Sequence, residues 1–241
     1  MGEVIDLARH RGARARGRAG AGHGGREYAT GGASETRGWA ARLGPHRRPL
    51  FAFDLADPCA YLAVERVDRR FPEAAWTPVS GDAFHGSAEW RSAGAHVAAR
   101  RAVEARARAL RVPLAWPALA PRGGLAALRC AALAAERGAG GPFAVAAARL
   151  AWCGGFDLDS PELLAEAAAA AGLPPDDVLA AAGDELRDAG LRVSADEVRM
   201  SGADRLPVLV VAGRAFCGEE RLAEAVLALG EPVPPGAPVA G

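Results

Sequence analysis

Residues 50–79 read LFAFDLADPCAYLAVERVDRRFPEAAWTPV. Leu50-Phe51-Ala52-Phe53 is a short apolar, aromatic run and reads as a strand. Asp54-Leu55-Ala56-Asp57-Pro58 then turns the chain. Asp57 carries the side chain of a good helix N-cap, and Pro58 suits the first helical position, where a missing N–H costs nothing. The helix they open runs to about Phe71 and is stopped by Pro72. Ala75-Trp76-Thr77-Pro78-Val79 reads as a second strand, which makes residues 50–79 a βαβ unit.

Helical signals dominate the next 120 residues. Ser87 to about Leu110 is rich in Ala and Arg, with Glu104 and Arg108 spaced to pair on one face. Arg111 to Pro121 is a Pro-punctuated connector that holds Trp116. Leu125, Leu128 and Ala132 mark one helix, ending near Gly138, and Phe143, Ala146, Ala147 and Leu150 mark another. Ser160-Pro161 opens a fourth, closed by Gly172, and Pro174-Pro175-Asp176 starts a fifth that reaches toward Gly183 or Gly190. The chain returns to strand at Leu206-Pro207-Val208-Leu209-Val210-Val211, turns at Ala212-Gly213-Arg214, and pairs back through Ala215-Phe216-Cys217. Glu219 to Leu229 reads as an amphipathic helix with Leu222, Val226 and Leu229 on its apolar face. The order βαβ, about five helices, ββα predicts an α/β thioredoxin-like fold with an inserted all-helical domain. Its sheet would have four strands and be mixed, with an antiparallel hairpin at one edge. On this reading residues 49–80 and 202–230 form the core and 81–201 the insertion. Residues 1–48 and 231–241 are an Arg/Gly-rich and a Pro-rich tail.

The chain has 241 residues, enough for one domain of ordinary size and an appendage. It contains no Lys, Asn or Gln, and all 29 basic residues are Arg. That bias reads as a GC-rich, bacterial coding background. It also excludes a P-loop, Schiff-base or kinase-type lysine. The net charge is zero, but residues 1–48 set ten Arg against Glu3, Asp6, Glu27 and Glu35, a local +6 balanced by −6 over the rest. An arm such as RHRGARARGRAGAGHGGR (9–26) has the charge to touch nucleic acid. Its lack of apolar periodicity reads instead as a solvated, disordered tail, so nucleic acid is not an expected partner. No run approaches the ~18 apolar residues of a membrane span, and no apolar signal core follows the N-terminal arginines. Cys59, Cys130, Cys153 and Cys217 form no CxxC pair, a usage that suits reduced and mostly buried thiols. The expectation is a soluble, cytoplasmic protein. His85 and His96 have no zinc-motif spacing, so no metal is expected.

Four stretches taken in order resemble one family: FAFDLADPCAYLAVERV (51–67), RARALRVPLAWPALAPRGGLAALRCAALA (106–134), FDLDSPELLAEAAAAAGL (156–173) and GADRLPVLVVAGRAFCGEERL (202–222). They are similar to the DsbA-like branch of the thioredoxin superfamily, and within it to 2-hydroxychromene-2-carboxylate isomerases and kappa-class glutathione transferases. The resemblance implies a site at the N-terminus of the first helix, where free N–H groups and the helix dipole favour an anion. It also implies glutathione or another low-molecular-weight thiol as cofactor, a small aromatic substrate, and a homodimer. Leu206-Pro207 matches the family's cis-proline. Glu219 and Glu220 match the residues that receive the γ-glutamyl amino group, although an acid pair in a first turn also simply suits a helix dipole.

Asp57 stands where redox members have the first Cys and the isomerase branch has Ser, and Ala60 stands at the second Cys. Dithiol exchange needs two sulfurs, so a CxxC oxidoreductase is not expected. An N-cap Asp57 should be ionised, and a carboxylate repels a thiolate rather than donating to it. Asp57 is then either a cap alone or a general base or orienting carboxylate. Cys59 is the candidate lone nucleophile, but its acidic neighbour disfavours the thiolate and a buried spectator is the preferred reading. Gly123 stands where the isomerase branch has an Asn, and Trp116 is the candidate pocket wall. The reading is an isomerase or glutathione-transferase-like enzyme with a divergent site. The rivals are a non-catalytic binding protein that kept the fold and a single-thiol redox protein.

Overall fold

Strand β1 (Leu50–Phe53) is buried along its whole length because it has a strand on each side and helices over both faces. The computed structural model describes residues 48–84, 93–117 and 124–229. The N-terminal arm, the Pro-rich tail, His85 and Gly123 lie outside them. β2 (Ala75–Pro78) runs parallel to β1, with Leu50 opposite Ala75 and Phe53 opposite Pro78. β3 (Val208–Val211) is antiparallel to β1 on its other side, with Ala52 opposite Val208. β4 (Arg214–Cys217) closes the sheet as an antiparallel hairpin, giving the order β2-β1-β3-β4. Ala212 and Gly213 both have positive φ (50° and 79°), the conformation a two-residue hairpin needs to match the strands' twist. This is the expected four-stranded mixed sheet.

The helices are α1 (Pro58–Arg70), α2 (Ala93–Leu110), α3 (Leu125–Glu136), α4 (Gly140–Trp152), α5 (Pro161–Ala170), α6 (Pro175–Ala182), α7 (Arg187–Met200) and α8 (Leu222–Ala228). Alternation along β1 sorts its side chains. Phe51 and Phe53, with Leu209 and Val211, face the larger core built with α1 to α6 and α8. Leu50 and Ala52, with Val208 and Val210, face a smaller core closed by Ala195 and Val198 of α7 and by Phe84. The Phe51 and Phe53 rings stack 5.5 Å apart and meet the edge of Trp76 at 5.1 and 5.7 Å. Each buried Phe contributes roughly 1.5–3 kcal/mol of transfer free energy.

Several sequence expectations need correction. Among the described residues six helices, not five, lie between β2 and β3. The missed one is α7, which continues straight through Gly190. A solvent-exposed Gly costs a helix only about 1 kcal/mol, and burying Leu191, Ala195 and Val198 offsets that. Residues 219–221 form a 3-10 turn, so α8 starts at Leu222. Its buried face is Leu222, Ala225 and Ala228, whereas Leu229 is 46% exposed. Leu125, expected on the inner face of α3, is 41% exposed, and that face is built from Ala127, Leu128, Cys130, Ala131 and Ala134. Cys153 is exposed at the end of α4 rather than buried; all four cysteines are free thiols. Among the described residues no helix is long and apolar enough to cross a membrane.

Candidate functional site

The turn between β1 and α1 is held by two carboxylates. Asp57 is the N-cap of α1 in extended conformation (φ −93°, ψ 116°), and its Oδ1 accepts the Cys59 N–H at 2.8 Å. Pro58 follows at the first helical position, so the local sequence dictates this geometry. Asp54, at the end of β1, is buried at 6% exposure. Its Oδ1 accepts the Ala56 N–H at 2.9 Å and its Oδ2 accepts the Gly81 N–H at 2.7 Å. The Asp57 N–H in turn donates to the Asp54 carbonyl at 3.1 Å.

Burial changes the chemistry of this turn. Desolvation pushes the Asp54 carboxyl up to about 6 despite its two backbone donors. The same effect, opposed by the Cys59 N–H and reinforced by the charge of Asp54, pushes Asp57 up to about 7. The expectation of a fully ionised Asp57 is thereby corrected. The helix terminus favours its charge, but losing water disfavours that charge more. Near neutral pH this carboxyl is present in both forms and can donate as well as accept a hydrogen bond. The Cys59 thiol is held well above its ordinary range by burial first, then by Asp57, Glu219 and Glu220. As a thiol it also hydrogen-bonds the Asp57 carboxyl. It is therefore protonated at neutral pH and poorly suited to nucleophilic attack.

The Leu206–Pro207 peptide is cis. With Ala52 opposite Val208, these two residues lie at the end of the sheet where the Asp54–Asp57 turn begins. The Gly218 N–H donates to the Pro207 carbonyl at 2.8 Å, which brings the 219–221 turn to the same end. Glu219, 4% exposed, is engaged on both oxygens: Arg66 of α1 donates to Oε2, and Arg106 of α2 donates to Oε1 and, at 3.3 Å, to Oε2. Arg66 also reaches the Glu219 carbonyl at 3.2 Å. This triad, built on a buried carboxylate and two partly exposed arginines, joins α1, α2 and the 219–221 turn. Glu220 is exposed and accepts from Arg205.

Trp116 packs edge-on against Trp152 at 5.6 Å, and Trp152 donates to the Leu55 carbonyl at 2.9 Å. Trp116 itself donates to Glu104 at 2.9 Å and lies under the Arg100 guanidinium at 4.5 Å. Trp152 thus links Trp116 to the turn. Gly124 borders the turn: a Cβ there would stand 3.5 Å from the Ala56 methyl. A groove of about 700 Å³ lies elsewhere, along β2, and is lined by none of the singled-out residues. Among the described residues no group of three or more His, Cys, Asp or Glu side chains could hold a metal.

Two contacts that the resemblance implies for glutathione are already engaged within the chain: Asp57 takes the Cys59 N–H at the helix N-terminus, and arginines take both oxygens of Glu219. Sequence reasoning missed Asp54, Arg66 and Arg106 as parts of this site. Arg66 and Arg106 find Glu219 across 153 and 113 residues, a pairing that leaves no local signal.

No protein-family model matches the sequence, and no curated protein matches it. Solved structures do. A 2-hydroxychromene-2-carboxylate isomerase superposes with a TM-score of 0.65 at 13% identity, covering 76% of this chain and 94% of that one. A probable DsbA oxidoreductase from Streptomyces coelicolor superposes with a TM-score of 0.60 at 22% identity, covering 80% and 94%. The fold is that of DsbA-like members of the thioredoxin superfamily.

Proposed function

We propose that this DsbA-like chain is an isomerase-type enzyme in which Asp57, in place of a Cys or Ser, works as a general acid and base on a small aromatic substrate. What carries the reading is a single placement: a carboxyl that gains and loses its proton near pH 7, at the N-terminus of α1 where this fold keeps its reactive group. An isomerisation that runs by proton transfer delivers a proton at one atom and removes one at another. A group titrating near the working pH serves both steps. Ala60 supplies no resolving sulfur and the Cys59 thiol is held protonated, so dithiol exchange is the reading the site supports least. The substrate would bind between the sheet end and α2, beside Trp116, in a cytoplasmic protein.

A thiol-dependent form of the same reading retains glutathione or another low-molecular-weight thiol as ligand. A second reading, a binding protein without turnover, is favoured by the full engagement of Glu219 by arginines. Thermal unfolding of the wild type and of Asp57→Ser in the presence of glutathione, other small thiols and 2-hydroxychromene-2-carboxylate separates them. The proposal expects the aromatic carboxylate to raise the wild-type Tm and thiols to act, if anywhere, on Asp57→Ser. Turnover of the stabilising ligand, followed by its ultraviolet spectrum, should then be lost in Asp57→Asn, which keeps the shape of the side chain and removes its proton exchange. No shift with any ligand in either protein overturns the enzyme reading, and a shift without turnover selects the binding protein.

A further inference from the structure

We infer that Asp54 is a positioning residue for Asp57: its carboxylate ties the turn that carries Asp57 to the 3-10 turn at residues 81–83, and so fixes the electrostatic setting in which Asp57 holds its proton. The inference rests on the proposed function only in naming Asp57 as the working group. Three observations carry it.

Asp54 is one of four buried polar residues among those described, together with Thr77, Ser194 and Glu219. Of the two buried acids, Glu219 is neutralised by arginines, whereas Asp54 is held by backbone N–H groups alone. A buried carboxylate without a cationic partner is costly to keep, so a role beyond packing is the economical account of it. Its bonds are also divided in an informative way. Oδ1 and the main-chain carbonyl both serve its own turn, through the Ala56 and Asp57 N–H groups. Oδ2 reaches 27 residues along the chain to Gly81.

The third observation is at Gly81. A Cβ there would stand 2.8 Å from Asp54 Oδ2, so the close approach of carboxylate to backbone needs a residue without a side chain. The 3-10 turn is thus fitted to Asp54, not simply adjacent to it. Among the described residues, the titratable groups set against the pair are Asp82 on that turn and Cys59 on α1, with Glu219 and Glu220 beyond Cys59. Glu219 is itself neutralised by Arg66 and Arg106, which leaves the Asp54 charge as the acidic neighbour acting on Asp57. Its effect on Asp57 is to hold the proton more tightly, the direction found for Asp57.

The test is the titration of Asp57 itself, followed by carboxyl carbon NMR on the full chain labelled with 13C-aspartate, the signal assigned by its loss in Asp57→Asn. In folded Asp54→Asn the Asp57 midpoint should fall by about one pH unit, the size expected for removing one charge several ångströms away at intermediate dielectric. A role confined to packing would lower the Tm and leave that midpoint in place. Gly81→Ala is the milder second variant. It keeps the carboxyl but pushes it off the Gly81 N–H, favours its neutral form, and should shift the Asp57 midpoint the same way. An Asp57 midpoint unmoved in the folded variant overturns the inference. The readout needs no turnover, so a midpoint that moves in a protein without isomerase activity would sink the proposed function and leave this inference standing.

Discussion

Replacing Asp57 by Asn should stabilise the protein at pH 8, and by progressively less as the pH falls toward 4. The folded carboxyl keeps its proton up to about 7, while an unfolded one releases it near 3.8. Between those values the folded protein binds more protons, so the stability owed to Asp57 falls as pH rises from about 4 to about 7 and stays low above that. The gap corresponds to roughly 4 kcal/mol at most, at about 1.4 kcal/mol per pH unit. Asp57 keeps partial contact with solvent, which screens its charge, so about 2 kcal/mol is the expected gain. Asn keeps an oxygen for the Cys59 N–H and ranks with Asp as an N-cap, so the helix start is not lost with the charge. Urea unfolding of both proteins from pH 5 to pH 8 gives the difference directly. A variant destabilised at pH 8 by as much as at pH 5 would show that the Asp57 charge costs the fold nothing, and the acid–base reading would lose its physical basis.

Two further outcomes follow from the neighbouring groups. Glu219→Gln keeps the shape of the side chain but leaves Arg66 and Arg106 facing a neutral amide, and should cost about 2 kcal/mol in urea unfolding, since both guanidinia are partly hydrated; a loss below about 0.5 kcal/mol would reduce the triad to a surface pair. With iodoacetamide at pH 7.5, exposed Cys153 should be alkylated well before Cys59, whose thiol is held protonated. Peptide mass spectrometry reads the order, and faster modification of Cys59 would revive the single-thiol redox reading.

The strands and most helices were legible because their signals are local. Asp57-Pro58 and Ser160-Pro161 open helices where the structure has them, and Pro72 closes one. These residues act through hydrogen bonds and φ restrictions within a turn of themselves. α7 escaped because its reason for existing is not local. It carries Gly190 and a mixed face, and it is held by the second side of the sheet and by Arg129 of α3, which grips Asp188 at 2.6 and 2.8 Å. The α8 face was misassigned for a related reason: Leu222, Ala225 and Ala228 are chosen by the sheet they pack on, not by residue size.

The site divides along the same line. From the sequence alone came the βαβ–helices–ββα order, a carboxylate in place of a sulfur or hydroxyl at the first helix, the absence of a resolving Cys, and the position of the cis-proline. The element order depends on residue identity and short-range backbone geometry, whereas the cis-proline and the standing of Asp57 and Ala60 were read from the family resemblance. Tertiary structure alone decided what those residues can do. Packing around the turn raises Asp57 to about 7 where a solvent-exposed cap would be ionised. Arg66 and Arg106 consume Glu219, and Gly81 gives Asp54 its second donor. Desolvation and ion pairing depend on which groups meet in space, here across 27 to 153 residues of chain, and no short stretch of sequence records that.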